Sequence, residues 1–153
     1  MMYKKANRIR STDAAYIAGL IDGEGTISLS RKHRGENRQL VISISNTEGE
    51  LLRYVQGVSG VGHIIHKNSS NPNHTPSLVY SVTNRQALSL LTQISPYLKS
   101  YKSGRAALVL TYYLRLTPRN GKYTLQQREE RKAFIGRFLK LHPNSRPSSN
   151  SFY

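Results

Sequence analysis

The sequence predicts an α+β fold: four short antiparallel strands in one layer, backed by helices. Three observations predict it. Residues alternate between apolar and polar over 26–32 and 39–46, as strands with one buried face do. Apolar residues recur at helical spacing in five other stretches. The two kinds of segment follow one another as helix, two strands, helix, two strands, then helices.

The first helix is expected over 11–24, opening on Ser11, Thr12 and Asp13, all good N-cap types. In the strand 26–32, Ile27 and Leu29 share one face, and Thr26, Ser28 and Ser30 the other. The segment 31–37, with Gly35, reads as a turn into the strand 39–46. There Leu40, Ile42 and Ile44 face one way, and Gln39, Val41, Ser43 and Ser45 the other. Thr47 is placed to cap a short helix. A second strand pair, 62–67 and 77–83, is joined by a polar loop. Both faces of 77–83 carry apolar residues, which leaves open the side it turns to solvent. Asn84 is expected to cap a helix that stops near Pro96. Two more helices are expected at 100–116 and 124–141, on either side of Gly121. The expected organisation is a single domain over 1–142, with a core at 11–117, followed by a flexible tail at 143–153 rich in Pro, Ser and Asn.

Charge narrows the function. The 153 residues hold 23 Lys plus Arg against 8 Asp plus Glu, a net charge of +15. Such an excess attracts anionic partners, nucleic acid foremost. No apolar run approaches the roughly 20 residues needed to span a bilayer, so a membrane partner is not expected. The absence of cysteine excludes disulfides and thiolate metal sites. The five histidines show no ligand-like spacing; His63 and His66 would point to opposite faces of one strand. There is no secretory h-region, so an intracellular setting is expected.

The stretch YIAGLIDGEGTISL, 16–29, concentrates the chemistry. Ala15, Gly19 and Gly23 lie four residues apart and line one helical stripe, along which another helix backbone could approach closely. Asp22 and Glu24 then arrive at the helix C-terminus, where the macrodipole favours cations. In so basic a chain, that placement suits hard oxygen ligands for Mg2+ beside a polynucleotide. The bland alternative is a pair of solvated turn acids.

The segment IAGLIDGEG, 17–25, resembles the signature of the LAGLIDADG homing endonucleases. It departs in having Ile17 for Leu, and Gly23-Glu24 for Ala-Asp. The order of helices and strands is similar to that family's αββαββα core, here with additional C-terminal helices. The segments 44–52 and 95–110 look like two further family segments. The resemblance implies a site-specific double-strand DNA endonuclease with a concave antiparallel DNA-binding sheet. It implies Mg2+ as cofactor, with Mn2+ substituting and Ca2+ supporting binding without cleavage. Glu24, one methylene longer than the family's Asp, looks like the catalytic metal ligand, with Gly23 beside it. Asn46 falls where the family orients water, and Lys102 where it has a basic residue near the scissile phosphate. Asp22 looks like a structural brace. A single motif copy implies a homodimer that pairs the stripe Ala15, Gly19, Gly23 across a two-fold axis, hence a near-palindromic site. The family also implies an intron-encoded origin in an organelle, bacterium or phage. A DNA-binding protein without cleavage, or an intron RNA maturase with RNA as partner, is the alternative.

On that fold the polar sheet face would enter the major groove. Ser28, Ser30, Lys32, Arg34, Gln39, Ser43 and Lys67 are the expected base readers. Arg31, Arg38 and Lys99 are expected near phosphates, which position the duplex without specifying its sequence, and the resemblance makes Arg105 a second candidate, beside Lys102, for the basic residue near the scissile phosphate.

Overall fold

The computed structural model describes residues 3–67 and 70–143; the expected tail lies outside these, apart from its first residue. The elements are α1 (Ser11–Glu24), β1 (Gly25–Ser30), β2 (Gln39–Asn46), α2 (Gly49–Ser59), β3 (His63–Lys67), β4 (Ser77–Thr83), α3 (Asn84–Ile94), a 3-10 turn at Ser95–Tyr97, α4 (Lys102–Tyr112) and α5 (Leu125–Leu139). The strands form one antiparallel sheet in the order β1-β2-β4-β3.

Alternation in the strands sets the two faces of this sheet. Ile27, Leu29, Leu40, Ile42, Ile44, Tyr80 and Val82 are buried and join a single apolar core with the helices. In α1 the buried residues are Ala14, Ile17, Ala18 and Ile21, an i, i+3, i+4, i+7 stripe. Burial of Tyr80 and Val82 settles the orientation of β4: Ser77, Val79, Ser81 and Thr83 take the opposite, open face. By register, the open face carries Thr26, Ser28 and Ser30 on β1, and Gln39, Val41, Ser43 and Ser45 on β2. It continues with the four β4 residues and then His63, Ile65 and Lys67 on β3.

Four local expectations are corrected. The residue preceding α1 is Arg10, and it makes no side-chain cap; Ser11, Thr12 and Asp13 lie within the first turn. Asp13 instead accepts from the Tyr54 hydroxyl at 2.6 Å, a bond that, after burial, pushes the Tyr54 pKa up to about 12. Thr47 does not cap α2, whose N-cap is Glu48. Asn84 is the first residue of α3 rather than its cap, and has a left-handed φ of 55°, a conformation Asn tolerates better than most residues. Its side chain donates to Gln39 Oε1 at 3.2 Å and accepts from the Tyr113 hydroxyl at 3.0 Å, tying the start of β2 to the residue that ends α4. The helix expected at 100–116 is shorter, covering Lys102–Tyr112.

Beyond α4, Thr124 and Gln127 form a reciprocal capping box that starts α5. Arg131 of α5 is 5% exposed and donates to the carbonyls of Leu116 and Arg38 and to Thr117 Oγ1. The outer edge of β1 is also covered by arginine: Arg38 donates to Leu29 O at 3.0 Å, and Arg105 to Ile27 O at 2.8 Å. An edge strand whose carbonyls are occupied this way offers less to a foreign strand.

Candidate active site

The site grows from the junction of α1 and β1, where the chain turns from helix to strand with no loop between. Gly25 makes that junction possible. A Cβ there would lie 2.8 Å from Ile21 Cα and 3.0 Å from Ser43 O, so a side chain does not fit. The close approach puts Glu24 directly beside the end of β2.

There Asn46 meets it. The Asn46 Nδ2 amide donates to Glu24 Oε2 in a short hydrogen bond. Asn46 Oδ1 accepts from the Glu48 backbone N–H at 2.8 Å, which fixes the amide's orientation. Glu24 is exposed, at the margin of the open sheet face. The structure thus brings together two of the three residues expected to act in catalysis.

The third, Lys102, is held differently. It is 6% exposed, and its ammonium donates to Ile21 O at 2.6 Å and to Asp22 O at 2.9 Å. These are carbonyls of the last turn of α1, the negative end of the helix dipole. Lys102 therefore supplies the cation that the end of this helix lacked in the sequence. Burial lowers the pKa of its ammonium; the Asp22 carboxylate opposes that fall and nearby Arg105 adds to it.

Asp22 points to the same junction from the other side. Its carboxylate accepts from the backbone N–H of Lys99 at 2.7 Å, the N–H of Ser100 at 3.2 Å, and the Ser100 hydroxyl. Burial alone would raise its pKa. The Ser100 hydroxyl and the two backbone N–H groups, helped by the Lys102 charge, outweigh it and hold the carboxyl below its usual value. Asp22 thus fastens the end of α1 to the turn that leads into α4. The residue Asp22 grips through its backbone, Lys99, keeps an exposed side chain.

The remaining expected residues divide in two. Ser28, Ser30, Gln39, Ser43 and Lys67 all lie on the open face, with Thr26 Oγ1 and Ser43 Oγ hydrogen-bonded at 2.7 Å. Lys32 and Arg34 are exposed in the turn between β1 and β2. Arg105, the second candidate near the scissile phosphate, is turned inward: besides Ile27 O it donates to Leu141 O at 2.7 Å, and it stacks on Phe138 at 4.6 Å. Arg38 is likewise committed to Leu29 O. Sequence reasoning missed the β4 and β3 members of the open face, Ser77, Val79, Ser81, His63 and Ile65. Their assignment needed the strand pairing, which places each opposite its neighbour.

The outer stripe of α1 completes the description. Ala15, Tyr16, Gly19 and Gly23 are exposed, and no atom lies within 4 Å of a Cβ built on Gly19 or Gly23. The glycines are therefore not needed for packing within the described residues of one chain.

For a metal ion, the described residues contain no group of three His, Asp or Glu placed to hold one. Asp22 accepts from two backbone N–H groups and the Ser100 hydroxyl, and Glu24 is the exposed carboxylate of the junction. Mg2+ commonly takes one or two carboxylates and completes its shell with phosphate oxygens and water, so this oxygen-only donor set fits it as a site shared with substrate. No helix among the described residues is long and apolar enough to cross a membrane.

Comparison with known proteins bears on the family and the fold. Residues 11–95 match the family model described as a LAGLIDADG-like domain. The intron-encoded DNA endonuclease ai2b of Dictyostelium discoideum is 26% identical over 104 residues, which are 67% of this chain and 39% of that protein. The chain thus spans about two fifths of the length of the curated relative it matches. Among solved structures, the homing endonuclease I-CvuI in complex with its target and Ca superposes with a TM-score of 0.69 at 18% identity, over 86% of this chain and 83% of that one. The archaeal intron-encoded homing endonuclease I-Vdi141I, complexed with DNA, gives 0.65 at 19% identity, over 90% and 88%. The matched segment holds the motif helix, the whole sheet and the Glu24–Asn46 pair, and the chain belongs to the family of LAGLIDADG-like domains.

Proposed function

We propose that this chain is a site-specific, divalent-metal-dependent endonuclease that cuts both strands of a near-palindromic DNA site as a homodimer. The observation that carries the proposal is the Glu24 carboxylate, oriented by Asn46 at the point where the motif helix meets an open, hydroxyl-rich sheet face. The endonuclease named among its relatives and the DNA complexes among similar structures support the same reading.

Each residue has a role in it. Glu24 is the metal ligand, with Gly23 in the same turn, and Mg2+ or Mn2+ bound there would lower the pKa of a water and offset charge at the scissile phosphate. Asn46 holds the carboxylate by one oxygen, leaving the other for the ion. Lys102 is a positioning residue: by closing the last turn of α1 it fixes where Glu24 stands, and one of its three N–H donors remains for a phosphate oxygen. Ser28, Ser30, Lys32, Arg34, Gln39, Ser43 and Lys67 face the bases, with Lys99 and Arg31 at the backbone. Two copies meet along Ala15, Gly19 and Gly23, bringing one Glu24 to each strand of the duplex.

A plasmid library with randomised duplex inserts tests this directly. Incubation with Mg2+ followed by sequencing of linear ends is expected to return one near-palindromic site. Ca2+ in place of Mg2+ is expected to give binding without linear product. No cut site in the library with either Mg2+ or Mn2+ would contradict the proposal.

A further inference from the structure

Almost every side chain on the open face of the sheet can hydrogen-bond; the exceptions are Val41 and the pair Ile65 and Val79. Ile65 on β3 and Val79 on β4 are directly paired across the strands, a placement that brings their side chains together on one face. Ile65 is 50% exposed, among the most exposed large apolar residues of the described chain. Their same-face neighbours are polar: His63 opposite Ser81, Lys67 opposite Ser77, and Ser45 beside Val79 on β2. Val41, the other apolar residue of this face, lies two rows away between Ser28 and Thr83. Ile65 and Val79 are therefore a small apolar island, bordered by hydroxyls, an imidazole and an ammonium.

We propose that Ile65 and Val79 read a thymine by contact with its C5 methyl group in the major groove. The proposal rests on the DNA-cleaving function above and names one element of its specificity. Thymine is the one base of DNA that presents an apolar group in that groove, and apolar side chains are its natural partners. A hydroxyl or charged residue here could have read any base edge by hydrogen bonding; an isoleucine against a valine can distinguish only methyl from its absence. The bordering His63 and Lys67 hold donors for the adjacent bases or phosphates, so the island is enclosed by groups a duplex would engage. In a dimer the same contact recurs once in each half-site.

The test exchanges thymine for uracil, which keeps every hydrogen-bonding atom and removes the methyl. A site selected from random duplexes with the intact protein is resynthesised with uracil at each thymine in turn, and affinity is measured in Ca2+. One thymine per half-site is expected to show about a fourfold loss, the scale of one buried methyl group. With Ile65→Ser, or with the near-isosteric Val79→Thr, thymine and uracil at that position are expected to bind alike. Both substitutions lie on the open face, away from the core, and thermal unfolding of each variant is recorded alongside. A selected, cleaved site in which uracil matches thymine at every position would overturn this inference and leave the endonuclease reading standing. Failure to select any duplex would overturn both.

Discussion

Replacing Lys102 by methionine separates the two roles a lysine can have at this site. The side chain is 6% exposed and its ammonium bonds two carbonyls of the last turn of α1, at 2.6 Å and 2.9 Å. A hydrogen bond from a charged donor contributes about 1.5–3 kcal/mol, and a partly buried cation at a helix C-terminus up to about 2 kcal/mol. Burying the ammonium takes several kcal/mol back, in keeping with its lowered pKa. Methionine is flexible and fills much of the volume of the lysine stem, so no large cavity confuses the outcome. The net loss expected for Lys102→Met is about 2 kcal/mol, and for a domain of this size about 2–4 °C of Tm accompanies each kcal/mol. Thermal unfolding without DNA should therefore fall by about 4–8 °C relative to the parent. A variant that has lost cleavage while melting within about 1 °C of the parent would refute the reasoning. Lys102 would then act on substrate alone, and the closure of α1 would have another cause.

Three further outcomes follow from the same junction and its surroundings. Gly19→Leu meets no neighbouring atom within 4 Å of its Cβ, so the stability of the single chain should be unchanged or slightly raised by helix propensity. Sedimentation, however, should shift from dimer to monomer; a Leu variant that still sediments as a dimer removes the stripe from the interface. Gly25→Ala places a Cβ 2.8 Å from Ile21 Cα and 3.0 Å from Ser43 O. Both are backbone atoms that cannot yield, so denaturant melts should show a loss of about 1–3 kcal/mol. Asp22 has its pKa lowered on folding. Its contribution to stability is therefore full above its unfolded pKa of about 3.9 and is lost as pH falls through the folded value. The stability gap between the parent and Asp22→Asn should be constant near neutrality and shrink below about pH 4; a gap independent of pH would contradict the carboxylate's role.

Much of the fold was legible because its signals are local. Alternation in QLVISISN placed β2 at Gln39–Asn46, and the run SLVYSVT placed β4 at Ser77–Thr83. The first helix, expected from about Ser11 to about Glu24, spans Ser11–Glu24 and buries the stripe Ala14, Ile17, Ala18 and Ile21. The caps were less legible, because Ser, Thr, Asp and Asn near a helix start are equally suited to bonds outside it. Asp13 is taken by Tyr54, and Asn84 by Gln39 and Tyr113, partners 41, 45 and 29 residues away. The same reason hid the actual arrangement around the motif. Lys102 reaches α1 across 81 residues and Asp22 reaches Lys99 across 77, and no periodicity encodes such distances. Charge alone also could not distinguish outward from inward arginines: Arg105 and Arg131 spend their donors on protein carbonyls. The acids that seemed misplaced at a helix end have separate roles there, one fastening the junction and the other exposed beside Asn46.

The most direct measurement compares the parent with Glu24→Gln on one selected site. Affinity is measured in Ca2+ and linear product in Mg2+. The amide keeps the size of Glu24 and can still meet Asn46, so equal binding with no linear product is the expected result. A Glu24→Gln protein that cuts at the parent's rate would contradict the assignment of Glu24 as the metal-binding carboxylate.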